Sequence, residues 1–267
     1  MGFFDRLANA WYIFTKSLSF IGRDKSLLVI PFLLIFSVII FCILFFFLFP
    51  ISFLLASKTG VAINVSISII ANFLIFILFI YVWTTFLGAA QSWMVHEVAQ
   101  GKNTKVLSGL KRAIKNILDI LLFSLVELLI TILISSLRRK GGLLRAAGGF
   151  IGLITGIAGK LVLPAMIVTE RNFIESVKQL GKAIKIIPEI ATFEIGIRPL
   201  TSLITWISLG IAFLFGFAFG FATGIIIFII LISIVIMFSI LINQIYYTLL
   251  YLTMIEKKKV PGLKLSR

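Results

Sequence analysis

An all-α integral membrane bundle of six transmembrane helices, with three cytoplasmic amphipathic helices in the interface, is the fold class this sequence predicts, and three observations predict it. Hydrophobic residues make up 60% of the 267 and charged residues only 13%, where a soluble domain averages roughly 45–50% and about 25%. The apolar residues are gathered into runs of about 20 residues or more, long enough to span a bilayer, with short linkers between them. The basic residues behind the net charge of +15 lie in those linkers rather than in the runs. That distribution makes anionic membrane lipid the expected partner, and not nucleic acid.

In chain order, Phe3, Leu7, Trp11, Phe14, Leu18 and Ile21 recur at helical spacing while Asp5, Arg6, Asn9 and Lys16 fall mostly elsewhere, which predicts an interfacial helix over Phe3 to Gly22. Span one runs from Leu27 to about Leu55, with Pro31 in its opening turn and Pro50 near its end. Span two, Val61 to about Val95, is longer than a bilayer needs and must tilt or project. Its far end carries Gln91, Trp93, His96 and Glu97. A second basic amphipathic helix is expected over Val106 to Asn116, with Lys111, Arg112 and Lys115 placed to meet anionic headgroups.

Span three follows, about Leu118 to Leu137, then a basic turn of Arg138, Arg139, Lys140, Gly141 and Gly142, then span four from about Leu143 to Thr169. A third amphipathic helix, Phe173 to Ile187, carries Lys178, Lys182 and Lys185 as further anionic-lipid contacts and is expected to end at Pro188. Leu200 to Ile255 is too long for one span, so it must fold back near Gly220 to Gly224 into spans five and six. One membrane domain of three hairpin units results, at about 1–100, 101–170 and 171–256.

Lys and Arg counts orient the chain. Nineteen lie on the side of both termini and five on the other, which predicts a multi-pass protein of the plasma (cytoplasmic) membrane with both termini cytoplasmic. The first apolar run is of spanning length, so no cleavable leader is expected, and Arg6 stands where a myristoylation motif needs Ser or Thr. Cys42, the single cysteine, has no partner for an intramolecular disulfide and reads as an apolar helix residue.

The hairpin of spans three and four is where charge falls inside apolar segments. Glu127 lies about nine residues into span three and Lys160 about nine residues from the end of span four; at ~1.5 Å per residue they reach similar depth and can pair. A lone charge there costs on the order of 3 kcal/mol, so an opposite charge at the same depth is the expected remedy, whether the pair is structural or functional. Gly148, Gly152 and Gly156 share one face of span four and Gly216, Gly220 and Gly224 repeat the spacing, which suits close helix packing within the chain or between copies. Gly220 and Gly224 also suit the turn itself. Asn72, Asn243 and Gln244 need interhelical hydrogen-bond partners.

Enzyme signatures are sparse. His96 is the single histidine, which excludes paired-histidine metal sites. Asp5, Asp24 and Asp119 all sit near the interface, so no intramembrane aspartate dyad is available, and neither a nucleophile elbow nor a phosphate-binding glycine loop is present. Neither an enzyme nor a cofactor is expected.

Lys16-Ser17, Arg23-Asp24-Lys25-Ser26-Leu27-Leu28 and Pro31, together with Leu163-Pro164-Ala165-Met166-Ile167-Val168-Thr169-Glu170 and Glu175-Ser176-Val177-Lys178, resemble the opening and central patterns of an archaeal and bacterial family of polytopic membrane proteins, a domain of unknown function. More loosely, the chain is similar to membrane domains fused to glycerophosphodiester phosphodiesterases. The likeness covers roughly residues 10 to 200; it implies the six-span layout and brings no activity or site residue, and Lys160 departs from its plain apolar pattern. The sequence therefore favours a non-enzymatic protein that handles lipid or a small solute at the bilayer around Glu127 and Lys160. The alternative is a scaffold that binds anionic lipid and a membrane-protein partner, or a second copy, through its basic helices.

Overall fold

The computed structural model describes residues 3–58, 62–139, 141–183, 187–258 and 260. Among them the chain is helical throughout, with no strand. The elements are α1 (Phe3–Arg23), a 3-10 turn (Lys25–Leu28), α2 (Val29–Lys58), α3 (Ala62–Ala99), α4 (Val106–Lys115), α5 (Ile117–Arg139), α6 (Leu143–Thr169), α7 (Phe173–Ala183), α8 (Ile187–Phe219), α9 (Phe221–Leu250) and a π-helical turn (Tyr251–Ile255). Five segments, Lys25–Phe47, Ile70–Ala99, Ile117–Arg139, Ser202–Phe219 and Phe221–Ile255, are long and apolar enough to cross a membrane, and the described apolar part of α6 runs Gly159–Thr169.

Three antiparallel hairpins, α2/α3, α5/α6 and α8/α9, pack around α3, which also touches α4, α5, α6 and α9. Helices α1, α4 and α7 lie at the end of the bundle opposite the hairpin turns, here called the junction end. The core sits in that half: Phe86 to Ala99 of α3, Leu161 to Val168 of α6, and Leu241 to Leu252 of α9 and the π turn close around Ile13 and Phe20 of α1. Away from it the surface is apolar. Phe32, Phe46, Leu129, Phe213 and Phe217 all point outward, which is the surface that acyl chains cover in a membrane protein. At 38 residues and ~1.5 Å per residue, α3 measures about 57 Å and projects well past a hydrocarbon core of ~30 Å. Its projecting end is what α4 packs on.

Two expectations change. Pro188 does not terminate the helix before it, because α8 begins at Ile187 and holds Pro188 in its first turn, where the missing N–H has no helical partner to lose. Span five therefore continues a helix that starts well before Leu200. The reversal between α8 and α9 falls at Gly220 alone, at φ +99°, a conformation L side chains rarely adopt. Lys140 and Lys185 lie outside the described residues, and so does the side chain of Lys182.

The glycines show how closely the helices approach. A Cβ on Gly224 would stand 2.8 Å from the Gly216 Cα and 2.9 Å from the Ala212 carbonyl oxygen, so these two residues pack α8 on α9 within one hairpin. Gly148 and Gly152 do the same between α6 and α5, against Leu137, Arg138 and Ile134, whereas Gly156 faces open space. The tightest approach to backbone is one the spacing pattern does not single out. A Cβ on Gly109 of α4 would lie 2.6 Å from the Ala90 carbonyl oxygen of α3. Gly109→Ala is expected to cost about 1–3 kcal/mol, since backbone on both sides must move, while Gly149→Ala, which meets nothing within 4 Å, leaves stability unchanged or slightly raised. Thermal melts of the two variants in detergent check this; a Gly109→Ala melt at the wild-type temperature would show that the α3/α4 contact is looser than described.

Candidate functional site

Two polar regions emerge, one at the junction end and one along the α5/α6 hairpin. The first is built on helix ends. The last carbonyls of an α-helix have no partner of their own, and on α6 the Ile167 carbonyl oxygen accepts from Arg112 Nε of α4 at 3.0 Å. Arg112 Nη1 bonds the carboxylate of Glu170, which follows α6 in the left-handed conformation at φ 56°. The guanidinium also lies 4.4 Å from the centre of the Trp93 ring. Arg112 is thus only 9% exposed. Arg112, expected to meet lipid headgroups, is instead turned into the protein, while Lys111 and Lys115 of the same helix are exposed. Lys115 also reaches Glu170 at 3.5 Å.

Glu97, noted from sequence as a residue at the end of span two, is a hub. Its carboxylate accepts from Trp93 Nε1 at 3.0 Å, from Ser108 Oγ at 2.6 Å and from the Thr104 hydroxyl. Thr104 in turn donates its N–H to Asp24 at 2.8 Å. Asp119 of α5 accepts the Phe173 N–H at the start of α7 at 3.0 Å, and the Tyr251 hydroxyl lies 3.0 Å from both Gln179 Oε1 and Glu256 Oε1, sharing its one proton between them. Arg171 stands 3.5 Å from Glu256. These bonds tie the linker at Thr104 to Asp24 and to α3, and the start of α7 to α5. The signal was present in sequence as Ser and Thr near acidic residues at the helix ends and linkers, but which carboxylate meets which hydroxyl depends on folding.

Around Asp24, burial works to raise the carboxyl pKa, but hydrogen bonds from the Ser26 hydroxyl and from the N–H groups of Thr104 and Ser26 outweigh it and hold the value below the usual 3.8. Glu170 is also lowered, first by the Arg112 hydrogen bond and then by the charges of Arg112 and Lys115.

The second region is a groove of about 440 Å³ between α5, α6 and α7. Phe123, Ile130, Ile134 and Val162 make its walls, Glu127 enters at mid-length of α5, and Arg138 stands at its hairpin end. Phe173 and Val177 of α7 close the junction end. From Phe123 to Arg138 the groove follows α5 for ~22 Å at 1.5 Å per residue. The glycine face of α6 forms the opposite wall: Gly152, Gly156 and Gly159 all line it. Gly159, absent from the sequence expectations, leaves room for the Glu127 carboxylate, whose Oε1 would be 3.1 Å from a Cβ there.

Lys160, one residue on, lies within electrostatic reach of Glu127 and places its ammonium 3.4 Å from the Tyr247 hydroxyl and 4.8 Å from the centre of that ring. On the other side, the Tyr81 phenol of α3 lies against Thr131 and within reach of Glu127. The two charges noted from sequence therefore sit in a setting of four helices, α3, α5, α6 and α9. Gln244 of α9 bonds Ser92 of α3. His96 is buried rather than at the edge, with Nε2 2.9 Å from Gln100 Nε2. Among the described residues no cluster of three or more His, Cys, Asp or Glu side chains suits a metal ion.

No family model, curated protein or solved structure matches this chain. The resemblance in residues 10 to 200 rests on its short motifs alone.

Two outcomes follow from the junction-end network. Arg112→Lys keeps the charge but loses the flat stack on Trp93 and the paired bonds to α6 and Glu170, so it should cost about 2 kcal/mol in a denaturant or thermal unfolding series. Asp24→Asn should lower the melting temperature at neutral pH. Because the folded pKa of Asp24 lies below its unfolded value, its contribution is present above about pH 4 and is lost as pH falls through the folded value. The gap between variant and wild type should therefore close below that pH; a gap independent of pH would remove the charge from the explanation.

Proposed function

We propose that this chain is a non-enzymatic membrane protein that carries or holds an amphiphile, lipid before small solute, in the groove between α5, α6 and α7. The single observation that carries the reading is a carboxylate set midway along α5 in a cleft whose walls are mostly apolar and small. Intramembrane ionisable groups are costly, and one that faces a cleft rather than a packed core marks a ligand or ion path. The apolar walls suit a hydrocarbon tail. Arg138 at the hairpin end suits an anionic headgroup, and Glu127 with Thr131 and Thr155 suits a hydroxyl or amine part way along.

In this reading α6 is the sixth span, since its 27 residues give ~40 Å at 1.5 Å per residue. Helices α1, α4 and α7 lie in the cytoplasmic interface of the plasma membrane with both termini on that side, as the count of 19 basic residues against five supports. Lys111, Lys115 and Lys178, all exposed, meet anionic headgroups there at roughly 1 kcal/mol each.

Gly156 offers a clean test, because a side chain placed there meets nothing within 4 Å yet projects into the groove. Gly156→Leu should keep the wild-type melting temperature and slow transfer of a tail-labelled phosphatidylglycerol across proteoliposome membranes at least tenfold, with Glu127→Gln slowing it similarly. Wild-type transfer in both variants, or wild-type transfer no faster than in protein-free vesicles, sinks the carrier role and leaves a scaffold. Converting Lys111, Lys115 and Lys178 to Gln should strip anionic lipid from the purified protein more readily as salt rises, as read by native mass spectrometry.

A further inference from the structure

The groove accounts for Glu127 from the hairpin side. Towards the junction end, the structure continues with a file of polar groups in a region otherwise filled by the apolar core. Lys160, itself exposed, lies within electrostatic reach of Glu127 and 3.4 Å from the hydroxyl of Tyr247, which is 2% exposed. Thr248 follows Tyr247 directly and lies one turn beyond Gln244 on the same face of α9. Gln244 bonds Ser92, and His96 lies one turn beyond Ser92 on α3. Both helices run from the hairpin end to the junction end, so the register set by Gln244 and Ser92 brings Thr248 and His96 to the same level. His96 then leads through Gln100 to the surface, where Gln100 is exposed.

At that level three buried polar atoms have no protein partner: His96 Nδ1, Thr248 Oγ1 and, a turn deeper on α3, Gln91 Nε2. Thr248 is 0% exposed, Gln91 1% and His96 5%. Leaving such a group unpaired costs about 1–3 kcal/mol, and ordered water that bridges several of them is the usual remedy. Packed helix ends alone do not require a histidine here. A core built only for packing would be served by apolar side chains of the same size.

We propose that the groove is proton-coupled: protons pass between Glu127 and the junction-end surface through Lys160, Tyr247, water held by Thr248, Gln91 and His96, and the imidazole of His96. Each hop is balanced, since every group releases one proton for each it takes: Lys160 exchanges at Nζ and Tyr247 at its hydroxyl oxygen, each on a single atom, while His96 takes a proton at one ring nitrogen and releases one from the other. No oxidant or reductant enters, and each transit moves one positive charge. The groups that face the imidazole are Glu97 on its own helix, Lys102 in the following linker, Arg112 of α4 and Lys258 beyond the π turn. Those facing Glu127 are Lys160 of α6 and Tyr81 of α3. The coupling, though not the route itself, rests on the groove being the carrier site.

The test uses the full chain in vesicles containing phosphatidylglycerol, loaded with a pH-sensitive dye, under a potassium diffusion potential set by valinomycin. Wild-type protein should acidify the lumen at least tenfold faster than protein-free vesicles, and His96→Phe and Glu127→Gln should each return the rate to background. His96→Gln, which retains a hydrogen-bonding side chain but cannot titrate, should do the same with the wild-type melting temperature, so loss of fold is separable from loss of route. A wild-type rate at background, or a full rate in His96→Gln, overturns the proposal. The two readings separate cleanly: His96→Gln should leave phosphatidylglycerol bound to the purified protein, whereas Gly156→Leu should lose it. If Gly156→Leu keeps its lipid while His96→Gln stops proton entry, the route stands and the carrier reading falls.

Discussion

The guanidinium of Arg112 holds the junction end together. It satisfies a terminal carbonyl of α6, neutralises Glu170 where the chain leaves that helix, and stacks on Trp93 of α3. Because Trp93 in turn donates to Glu97, and Glu97 gathers Thr104 and Ser108, one buried cation fixes the position of α4 against two hairpins. A helix end in a low-dielectric setting cannot leave its carbonyls bare. The linkers supply what the ends lack, and in doing so they decide how the hairpins stand relative to each other.

That constraint explains where the core is. Apolar burial gives little drive for helices to associate inside a membrane, because lipid tails are as apolar as the side chains. Association then depends on close backbone approach and on polar bonds. The polar bonds gather at the junction half, with Ser92 to Gln244 and Asp119 at the start of α7, where Gly109 also closes on Ala90. Towards the hairpin turns, α8 and α9 hold to each other through Gly216 and Gly224 and present Phe213 and Phe217 outward.

Much of the layout could be read from sequence, for physical reasons. Long apolar runs and the residues that stop them fix helices locally, so the bounds expected for the helix from Leu143 to Thr169 and for the one starting at Val106 coincide with those observed. The reversal near Gly220 was visible because a positive φ favours glycine. Pro188 misled because proline marks a helix start as readily as a stop. Arg112 misled for a different reason: on a helical wheel it belongs with Lys111 and Lys115, and only the arrival of α6 and Trp93 from distant sequence turns it inward. The hub at Glu97 and the room that Gly159 leaves for Glu127 were likewise invisible, since each needs a partner more than ten residues away or on another helix.

The two polar regions differ in a way that bears on function. At the junction end Glu97 has three hydrogen-bond donors in place, Asp24 has Ser26 and Thr104, and Glu170 has Arg112. Such saturation lowers the energy of one conformation and leaves little for a ligand to add. Glu127 is placed otherwise, with a glycine beneath it, a groove in front and Lys160 and Tyr81 at either side. A carboxylate meant only to brace helices would gain more from enclosure by donors than from an open cleft. Leaving it accessible costs stability, and a cost of that kind is retained where the exposed group has work to do.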